Sequence, residues 1–358
     1  MKVSGLFGIG EHLKRLSETG DPLETLAKII DFEAFRPVLD AGLGYSDGSK
    51  GGRPPYDPVV MFKVLILAAQ NNVSDERMEF LIRDRLSWLR FLGFGLGDRT
   101  PDENTIRLFR ERLTRAGAIE KLFEEFDRQL KTSGYLAMGG QIVDASLITA
   151  PRQRNTVAEK AQVKAGLKAR DIWKDEPNKA AQKDTDARWT VKIGRPRDPT
   201  AERSVPELAI AVFGYKTHVA IDRTFGFIRS WAVTSASRHD GAVLREIVTT
   251  QNTASDVWAD TAYRSKTNEE WLHARGLVSR IHRKKPPRRP MPDHIRRGNA
   301  TKSKVRSAVE HVFAQQKDRM SLFIRTIGIE RAKAKVGLAN IAYNMGRLIF
   351  HERRLATG

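Results

Sequence analysis

The fold of this chain is decided by a short apolar segment, residues 141–148, with the sequence QIVDASLI. It contains β-branched residues and is bounded by Gly139-Gly140 before it and by Ala150-Pro151 after it. A short apolar run between such breakers is typical of a buried strand. Asp144 lies inside the run, and an unpaired buried charge is costly. This aspartate is therefore not easily explained as an ordinary cap or turn residue.

Strand and helix patterns alternate after this segment. Apolar runs predict strands at 209–221, 227–234, 257–260 and 277–281, and helical periodicity predicts helices at 244–248, 267–275 and 303–317. Such an order is typical of an α/β protein. We predict a mixed sheet with helices on its faces.

The preceding residues, 1–137, have the pattern of an all-helical region. Asp57-Pro58 opens a long apolar run, Ser74 precedes a second helix, and Thr100-Pro101-Asp102-Glu103 has the form of a capping box with proline at the first helical position. Short helices joined by tight turns suit either a helix-turn-helix DNA reader or a plain bundle for dimerisation. Periodicity does not separate these two alternatives.

The composition favours a nucleic-acid partner. The 358 residues include 62 Lys and Arg against 43 Asp and Glu, a formal net charge of +19. Such an excess favours a polyanion, whereas no strongly basic amphipathic helix indicates a bilayer. The absence of cysteine excludes disulfides, thiolate chemistry and Cys-type zinc sites. We also expect neither a membrane span nor a secretory signal.

Two further carboxylates complete a candidate site with Asp144. Asp260 ends the strand pattern at 257–260, and Glu310 lies on the helix pattern at 303–317. At about 100° per residue, Arg306, Glu310 and Lys317 fall within roughly 40° of one another on one helical face. Carboxylate oxygens suit Mg²⁺, and two such ions about 3.5–4 Å apart assist phosphodiester cleavage.

Each of these signals is weak when taken alone. An aspartate at a strand end is usually a turn or cap residue, and an Arg/Glu pair at i, i+4 is usually a surface ion pair that contributes ~0.3–0.5 kcal/mol. Together, in a basic chain, they indicate an enzyme that cuts or joins DNA.

Two polar, basic insertions interrupt the α/β pattern. Residues 150–205 are interrupted by prolines and poor in large apolar side chains, so a solvated surface and a DNA contact are equally good interpretations. Residues 283–306 hold ten Lys or Arg against the single acid Asp293. For this second insertion we favour DNA contact, since it lies between two of the candidate carboxylates.

The segments around the three carboxylates resemble the catalytic motifs of bacterial insertion-sequence DDE transposases, in particular the insertion-sequence-five family. They are Val143-Asp144-Ala145-Ser146, Ala259-Asp260-Thr261-Ala262-Tyr263 and Arg306…Glu310…Lys317. Further matches are residues 53–58, 184–189, 214–218 and 234–240, so the likeness covers most of residues 50–350. One position departs from the related signature: Ser303 replaces a tyrosine that is an accessory phosphate contact.

The resemblance implies a ribonuclease-H-like fold and DNA cleavage and strand transfer at the terminal inverted repeats of an insertion sequence. Asp144, Asp260 and Glu310 would hold two Mg²⁺ ions, for which Mn²⁺ would substitute. Water would attack first, and the freed 3′-hydroxyl would then attack target DNA. Arg306 and Lys317 would bind phosphates. The expected partners are double-stranded DNA and a second copy of the chain on paired ends, in the cytoplasm and associated with the nucleoid.

Other candidate DNA contacts are basic residues near these motifs. They are Lys216, His218, Arg264, Arg283, Lys284, Lys285, Arg288 and Arg289. Of these, His218 lies in a strand pattern, where a core histidine is the commoner case. Asp184 and Asp186 have the spacing of a metal site, but in a polar insertion we expect them to be solvated. His239 and Asp240 are expected to cap the next helix.

We predict three domains. Residues 1–137 would form a helical domain for DNA-end binding, dimerisation or both, residues 138–325 the catalytic domain with both insertions, and residues 326–358 a C-terminal helix packed on the core. Two alternatives stay open for the function. One is a host ribonuclease-H-like nuclease or resolvase, which would not need the long helical leader. The other is a transposase-derived DNA-binding regulator, which would tolerate loss of a carboxylate.

Overall fold

The computed structural model describes residues 8–45, 51, 54–194 and 208–357. Two sequence predictions extend outside this range: Arg53 of the segment 53–58, and residues 195–205 of the first insertion. The chain forms two compact units. The first consists of Met1–Leu136, Ala314–Ser321 and Gly337–Gly358, and the second of Ala137–Phe313 and Leu322–Val336. The proposed division into three domains, at 137/138 and 325/326, stays a prediction.

The described part of the N-terminal segment of the first unit consists of helices joined by turns and irregular connections. Its helices are α1 (Gly8–Glu18), α2 (Pro22–Ile29), α3 (Arg36–Leu43), α4 (Pro58–Asn71), α5 (Asp75–Asp84), α6 (Leu86–Leu92), α7 (Glu103–Arg115) and α8 (Ala118–Thr132), with a 3₁₀ turn at Glu33–Phe35. The apolar run after Pro58 makes α4 the central helix, and Phe62 packs against Phe35 with ring centroids 4.9 Å apart.

Side-chain caps fix where several of these helices begin. Asp57 accepts hydrogen bonds from the backbone N–H groups of Val59 and Val60, and Ser74 caps α5, as predicted. The predicted capping box at Thr100 is wrong. The cap of α7 is Asp102, whose carboxylate accepts from Thr105 N at 2.7 Å, so the helix begins two residues later than the proline suggested.

The second unit contains a six-stranded mixed sheet. Its strands are β1 (Gln141–Thr149), β2 (Arg188–Gly194), β3 (Leu208–Asp222), β4 (Ile228–Ser235), β5 (Asp256–Trp258) and β6 (Val278–Ser279). The order is β2-β3-β1-β5-β6, and β4 also pairs with β3. Strand β3 is antiparallel to β1, β2 and β4, whereas β5 is parallel to both β1 and β6. The predicted mixed sheet is confirmed, although β2 was not predicted.

The pairing of β1 with β5 sets the position of the candidate site. Gln141 pairs with Val257 and Ile142 with Trp258, so the carboxyl ends of the two strands lie at the same edge of the sheet. Gly140 permits the close approach of these strands. Its φ is +89°, and a Cβ there would lie 2.5 Å from the ring of Trp258.

The described part of the first insertion contains three short helices and a strand joined by irregular segments. It contains α9 (Val157–Lys164), α10 (Ala169–Ile172), α11 (Pro177–Gln182) and strand β2. Val163, Trp173 and Ala180 form a small buried cluster of their own. The indole N–H of Trp173 donates to Glu159 at 2.7 Å, which satisfies its polar group.

The remaining helices of the sheet unit are α12 (Leu244–Ile247), α13 (Lys266–His273), α14 (Asp293–Arg306) and α15, which begins at Glu310 and ends at Ala314. Every residue of the helix predicted over 303–317 is helical, but the segment is not one regular α-helix. Helix α14 begins within the second basic insertion, a 3₁₀ turn separates it from α15, and a π-helical turn, Gln315–Arg319, follows. The regular angle of about 100° per residue therefore does not hold from Arg306 to Lys317.

The last helix, α16, spans Ile329–Thr357. Across the part of the chain that the structure describes, neither this nor any other helix has the length and apolarity that crossing a membrane requires.

Candidate active site

Asp144 and Asp260 lie on neighbouring parallel strands or directly after them. Asp144 is in β1, and its Oδ1 accepts from Ala145 N at 2.8 Å. Asp260 lies two residues after the end of β5 and caps a 3₁₀ turn, with its Oδ1 accepting from Ala262 N at 2.8 Å. The two strands, β1 and β5, are adjacent in the sheet. Because Ile142 pairs with Trp258, Asp144 and Asp260, each two residues further along, lie level with each other where β5 has ended.

Arg306, the last residue of α14, lies close to both Asp144 and the third carboxylate, Glu310. Its Nη1 donates to Asp144 Oδ2 in a short, charge-assisted hydrogen bond, and its Nη2 lies 3.8 Å from Glu310 Oε1. The side chain of Glu310 is 59% exposed, whereas that of Asp144 is only 13% exposed. Arg306 therefore bridges a buried carboxylate and a solvated one.

The electrostatics of the site are dominated by the burial of Asp144. Burial raises the pKa of Asp144 to about 6, with Asp260 and Glu310 adding to the rise, while Arg306 and the hydrogen bond from Ala145 oppose it. The influence of both other carboxylates places them in the electrostatic surroundings of Asp144. The site thus combines three acids with one cation held against the most buried of them.

The donor chemistry of this site fits a divalent cation. Its acids offer hard carboxylate oxygens, and the guanidinium of Arg306 supplies positive charge at Asp144 in this conformation. Within the described ranges, no three carboxylate or imidazole side chains lie close enough to share one metal ion. Arg306 would therefore have to release Asp144 before the three carboxylates could draw together around a cation.

Sequence reasoning missed His282 and assigned no role to Tyr263. His282 N donates to the carbonyl of Ala259, next to Asp260, and its Nε2 lies 3.4 Å from Ser303 Oγ. Burial, with Arg306 and Lys302, lowers the pKa of His282. The signal for His282 was its place after β6, because carboxyl ends of neighbouring parallel strands meet at one edge.

Two known sequence families match the chain. The family described as "Transposase domain (DUF772)" matches residues 11–112, and the family described as "Transposase DDE domain" matches residues 136–345. The chain belongs to the insertion-sequence DDE transposase family. Members of this family cleave DNA and transfer its strands with the help of divalent metal ions. No solved structure matches this transposase.

The structure does not support DNA contact for two of the predicted residues. His218 is fully buried in β3, with Nε2 2.9 Å from Thr234 Oγ1, and burial lowers its pKa to about 4. A buried, neutral imidazole has no surface for a phosphate. The ammonium group of Lys216 donates to Asp240 Oδ1 and to the carbonyl of Arg238, both at 2.8 Å. The ammonium group of Lys216 is therefore already paired with groups of the fold.

The other predicted DNA contacts differ in their exposure. The basic tract of the second insertion is exposed at Arg283, Lys284, Lys285, Arg288 and Arg289. Arg264 is 27% exposed and donates to the carbonyl of Ile281 at 2.9 Å. Lys317 is exposed and belongs to the first unit of the transposase. The exposed tract is the part of this set that is available to a polyanion.

The expectation that Asp184 and Asp186 are solvated is wrong for Asp184. Its carboxylate is buried and accepts from Tyr215 Oη at 2.6 Å and from the backbone N–H groups of Asp186 and Ala187, both at 2.9 Å. Asp186, with its side chain 25% exposed, pairs with Lys168 at 3.0 Å. His239 caps the 3₁₀ turn that begins at Asp240, whereas α12, the helix predicted to follow, has no side-chain cap.

Proposed function

We propose that this transposase cleaves DNA at the terminal inverted repeats of an insertion sequence of the insertion-sequence-five type and transfers the freed 3′ ends to target DNA. Asp144, Asp260 and Glu310 are the proposed metal ligands, within a ribonuclease-H-like catalytic domain. The observation that carries this proposal is the pairing of β1 with β5, which sets Asp144 and Asp260 at one sheet edge. Glu310 lies near Arg306, the ion-pair partner of Asp144, with its Oε1 3.8 Å from Arg306 Nη2.

In the proposed mechanism, two Mg²⁺ ions, or Mn²⁺ in their place, would activate the attacking oxygen and neutralise charge at the scissile phosphate. The chain itself orients the substrate. Asp144 is held by the N–H of Ala145, and Asp260 by the N–H of Ala262, so each keeps an oxygen for a cation. Arg306 moves from Asp144 to a DNA phosphate, and this exchange couples DNA binding to assembly of the carboxylates.

The DNA partner is double-stranded and enters along exposed basic surface. The tract 283–289 carries five exposed cations and precedes α14, the helix that ends at Arg306. Phosphate contacts by such residues position a duplex without reading its sequence. We assign recognition of the terminal repeats to the N-terminal helices, and we propose that two copies of the chain act on paired ends.

The test is cleavage of the DNA that flanks the gene, in Mg²⁺ or Mn²⁺, by wild type and by Asp260→Asn. We expect nicking at the repeat ends by wild type, and its loss in Asp260→Asn with DNA binding unchanged. Asp256→Asn is the matched control, because this aspartate of β5 is partly exposed and pairs with Arg280 at 2.6 Å. It should cleave as wild type does.

Two other results would favour the alternative functions. Binding of the repeats by wild type without cleavage in either metal would indicate a DNA-binding regulator. Cleavage that ignores the repeats would indicate a general nuclease of the ribonuclease-H-like class. The intact set of three carboxylates favours the enzyme over the regulator.

A further inference from the structure

Tyr263 is a buried residue with an unsatisfied polar group beside the proposed active site. It closes the 3₁₀ turn that Asp260 caps, and only 1% of it is exposed. Its ring belongs to the core cluster of the sheet unit, together with Val143 and Ala259, the neighbours of Asp144 and Asp260. Its hydroxyl has no hydrogen-bond partner among the residues that the structure describes.

The backbone around Tyr263 is held in place. The side-chain amide of Asn268, itself buried, donates to the carbonyl oxygens of Tyr263 and Gly241, both at 2.8 Å. The ring therefore cannot leave the core to satisfy its hydroxyl in solvent. A buried hydroxyl without a partner destabilises a fold, and phenylalanine would fill the same space without that cost.

The hydroxyl of Tyr263 lies within the electrostatic influence of three carboxylates. Burial, and then the carboxylates of Asp144, Asp240 and Asp260, raise the pKa of Tyr263 above its usual range. The phenol therefore keeps its proton and can act only as a neutral donor or acceptor. Among carboxylates, the donor role is the one that lowers the energy.

We propose that Tyr263 is a positioning residue of the active site, whose hydroxyl donates a hydrogen bond to the Asp144 carboxylate once Arg306 has released it. This inference rests on the proposed function, because it requires that Asp144 bind a divalent cation. Hydrogen bonds from surrounding residues commonly orient the carboxylates that hold metals.

Asp144 is the acceptor that would lose a donor on the departure of Arg306, whereas the donors to Asp240 and Asp260 would stay in place. Asp240 already accepts from Lys216 at 2.8 Å, and Asp260 caps its own turn. Among the residues that the structure describes, the donor to Asp144 Oδ2 is Arg306 alone, the residue that we propose moves to DNA. The departure of Arg306 would leave a buried carboxylate with an empty acceptor position near a buried donor. A hydrogen bond between the two would satisfy both groups.

The experiment compares Tyr263→Phe with Tyr215→Phe in the full-length protein. Tyr215 is equally buried in the same unit, but its hydroxyl donates to Asp184 at 2.6 Å. Mn²⁺ affinity is measured by titration followed by electron paramagnetic resonance, and the unfolding temperature is measured without metal. Asp144→Asn reports whether the carboxylate site binds Mn²⁺ at all.

For Tyr263→Phe we expect Mn²⁺ affinity to fall about tenfold. Its metal-free unfolding temperature should stay equal to that of wild type or rise by roughly 2–4 °C, because an unsatisfied group is removed. Tyr215→Phe should show the opposite pair of results, with a lower unfolding temperature and unchanged Mn²⁺ affinity.

Two results would overturn the proposal in distinguishable ways. If Asp144→Asn loses Mn²⁺ binding while Tyr263→Phe binds it as wild type does, Tyr263 is a core residue only and the proposed function stands. If Asp144→Asn binds Mn²⁺ as wild type does, the metal site is misassigned. In that case the proposed function and the role of Tyr263 fail together.

Discussion

Arg306 donates a hydrogen bond to Asp144 across 162 positions of sequence, and this pair is the link between the last residue of α14 and the central strand β1. Both side chains are mostly buried, at 23% and 13% exposure. An ion pair at such a site gives the buried aspartate its partner. It also places a cation at a carboxylate that we propose binds a metal ion, so the two would compete for Asp144.

This competition predicts the behaviour of Arg306→Gln. The variant should bind Mn²⁺ more tightly than wild type, by about tenfold, since a hydrogen bond to a charged group contributes roughly 1.5–3 kcal/mol. Cleavage of repeat DNA should nevertheless fall, because glutamine lacks the charge that we propose binds the phosphate. Isothermal titration and a nicking assay measure the two effects. The matched control is Arg297→Gln, an exposed arginine of the same helix, which should leave Mn²⁺ affinity unchanged. Equal or weaker Mn²⁺ binding by Arg306→Gln would refute the competition.

The exposed tract predicts the salt dependence of DNA binding. Replacing Lys284, Lys285, Arg288 and Arg289 by glutamine should reduce the slope of log K against log salt by about 0.9 for each phosphate that the variant no longer neutralises. For four phosphates this amounts to a reduction of about 3–4. Fluorescence anisotropy with a repeat duplex at several salt concentrations measures the slope.

A matched variant of the first insertion serves as the control for this measurement. It replaces the exposed residues Lys160, Lys164, Arg170 and Lys174 by glutamine. If the first insertion is a solvated surface, the salt slope of DNA binding by this variant will equal that of wild type. An equal reduction in both variants would show that charge, rather than a DNA path along residues 283–289, sets the affinity.

The loss of folding stability at acidic pH should depend on His218. Burial, together with Lys216 and Arg238, lowers its pKa from 6.5 to about 4, and Asp240 opposes this shift. The unfolded chain therefore binds a proton at a higher pH than the folded chain does. This contribution to stability is complete above pH 6.5 and is lost as the pH falls toward 4, with a magnitude of roughly 3 kcal/mol.

Urea unfolding of wild type and His218→Gln from pH 7 to pH 4 isolates this contribution. The stability of wild type should fall more steeply than that of the variant, and the two curves should run parallel above pH 6.5. His273→Gln, at the exposed end of α13, is the control and should follow wild type. Parallel curves for wild type and His218→Gln throughout would contradict the assignment.

The sequence predicted the parts of the fold that depend on local patterns. The strand around Asp144, the hairpin β3–β4 and the caps at Asp57 and Ser74 follow from apolar runs and from side chains that act within a few residues. Such patterns can be recognised from a few consecutive residues of sequence. The mixed sheet followed from the alternation of strand and helix patterns.

The parts that sequence reasoning missed depend on distant contacts. Strand β2 is an exception, since residues 188–193 alternate polar and apolar side chains, a strand signal that the sequence prediction overlooked. Its apolar residues Trp189 and Val191 are exposed, and it pairs with β3. Burial of Asp184 depends on Tyr215, thirty-one positions away. The Arg306–Asp144 pair likewise arises from the fold, since a helical wheel relates Arg306 only to residues of its own segment.

Asp184 should be a main determinant of the stability of the sheet unit. It accepts from Tyr215 Oη, from two backbone N–H groups and from Gly328 N at 3.3 Å. Asp184→Ala leaves these donors unpaired in the core, and we expect a loss of about 3 kcal/mol or more in the free energy of unfolding. Urea denaturation measures it.

The control is Asp171→Ala, because this exposed aspartate only caps its own short helix through Lys168 N at 3.4 Å. Asp171→Ala should lower the free energy of unfolding by less than about 1 kcal/mol, as loss of a surface helix cap does. Asp184→Asn should be intermediate, since one amide oxygen can still accept while the amide N–H₂ opposes the other donors. If Asp184→Ala proved as stable as Asp171→Ala, the carboxylate would not anchor the insertion to β3. The resemblance of residues 184–189 to the family motif would then need a functional rather than a structural explanation.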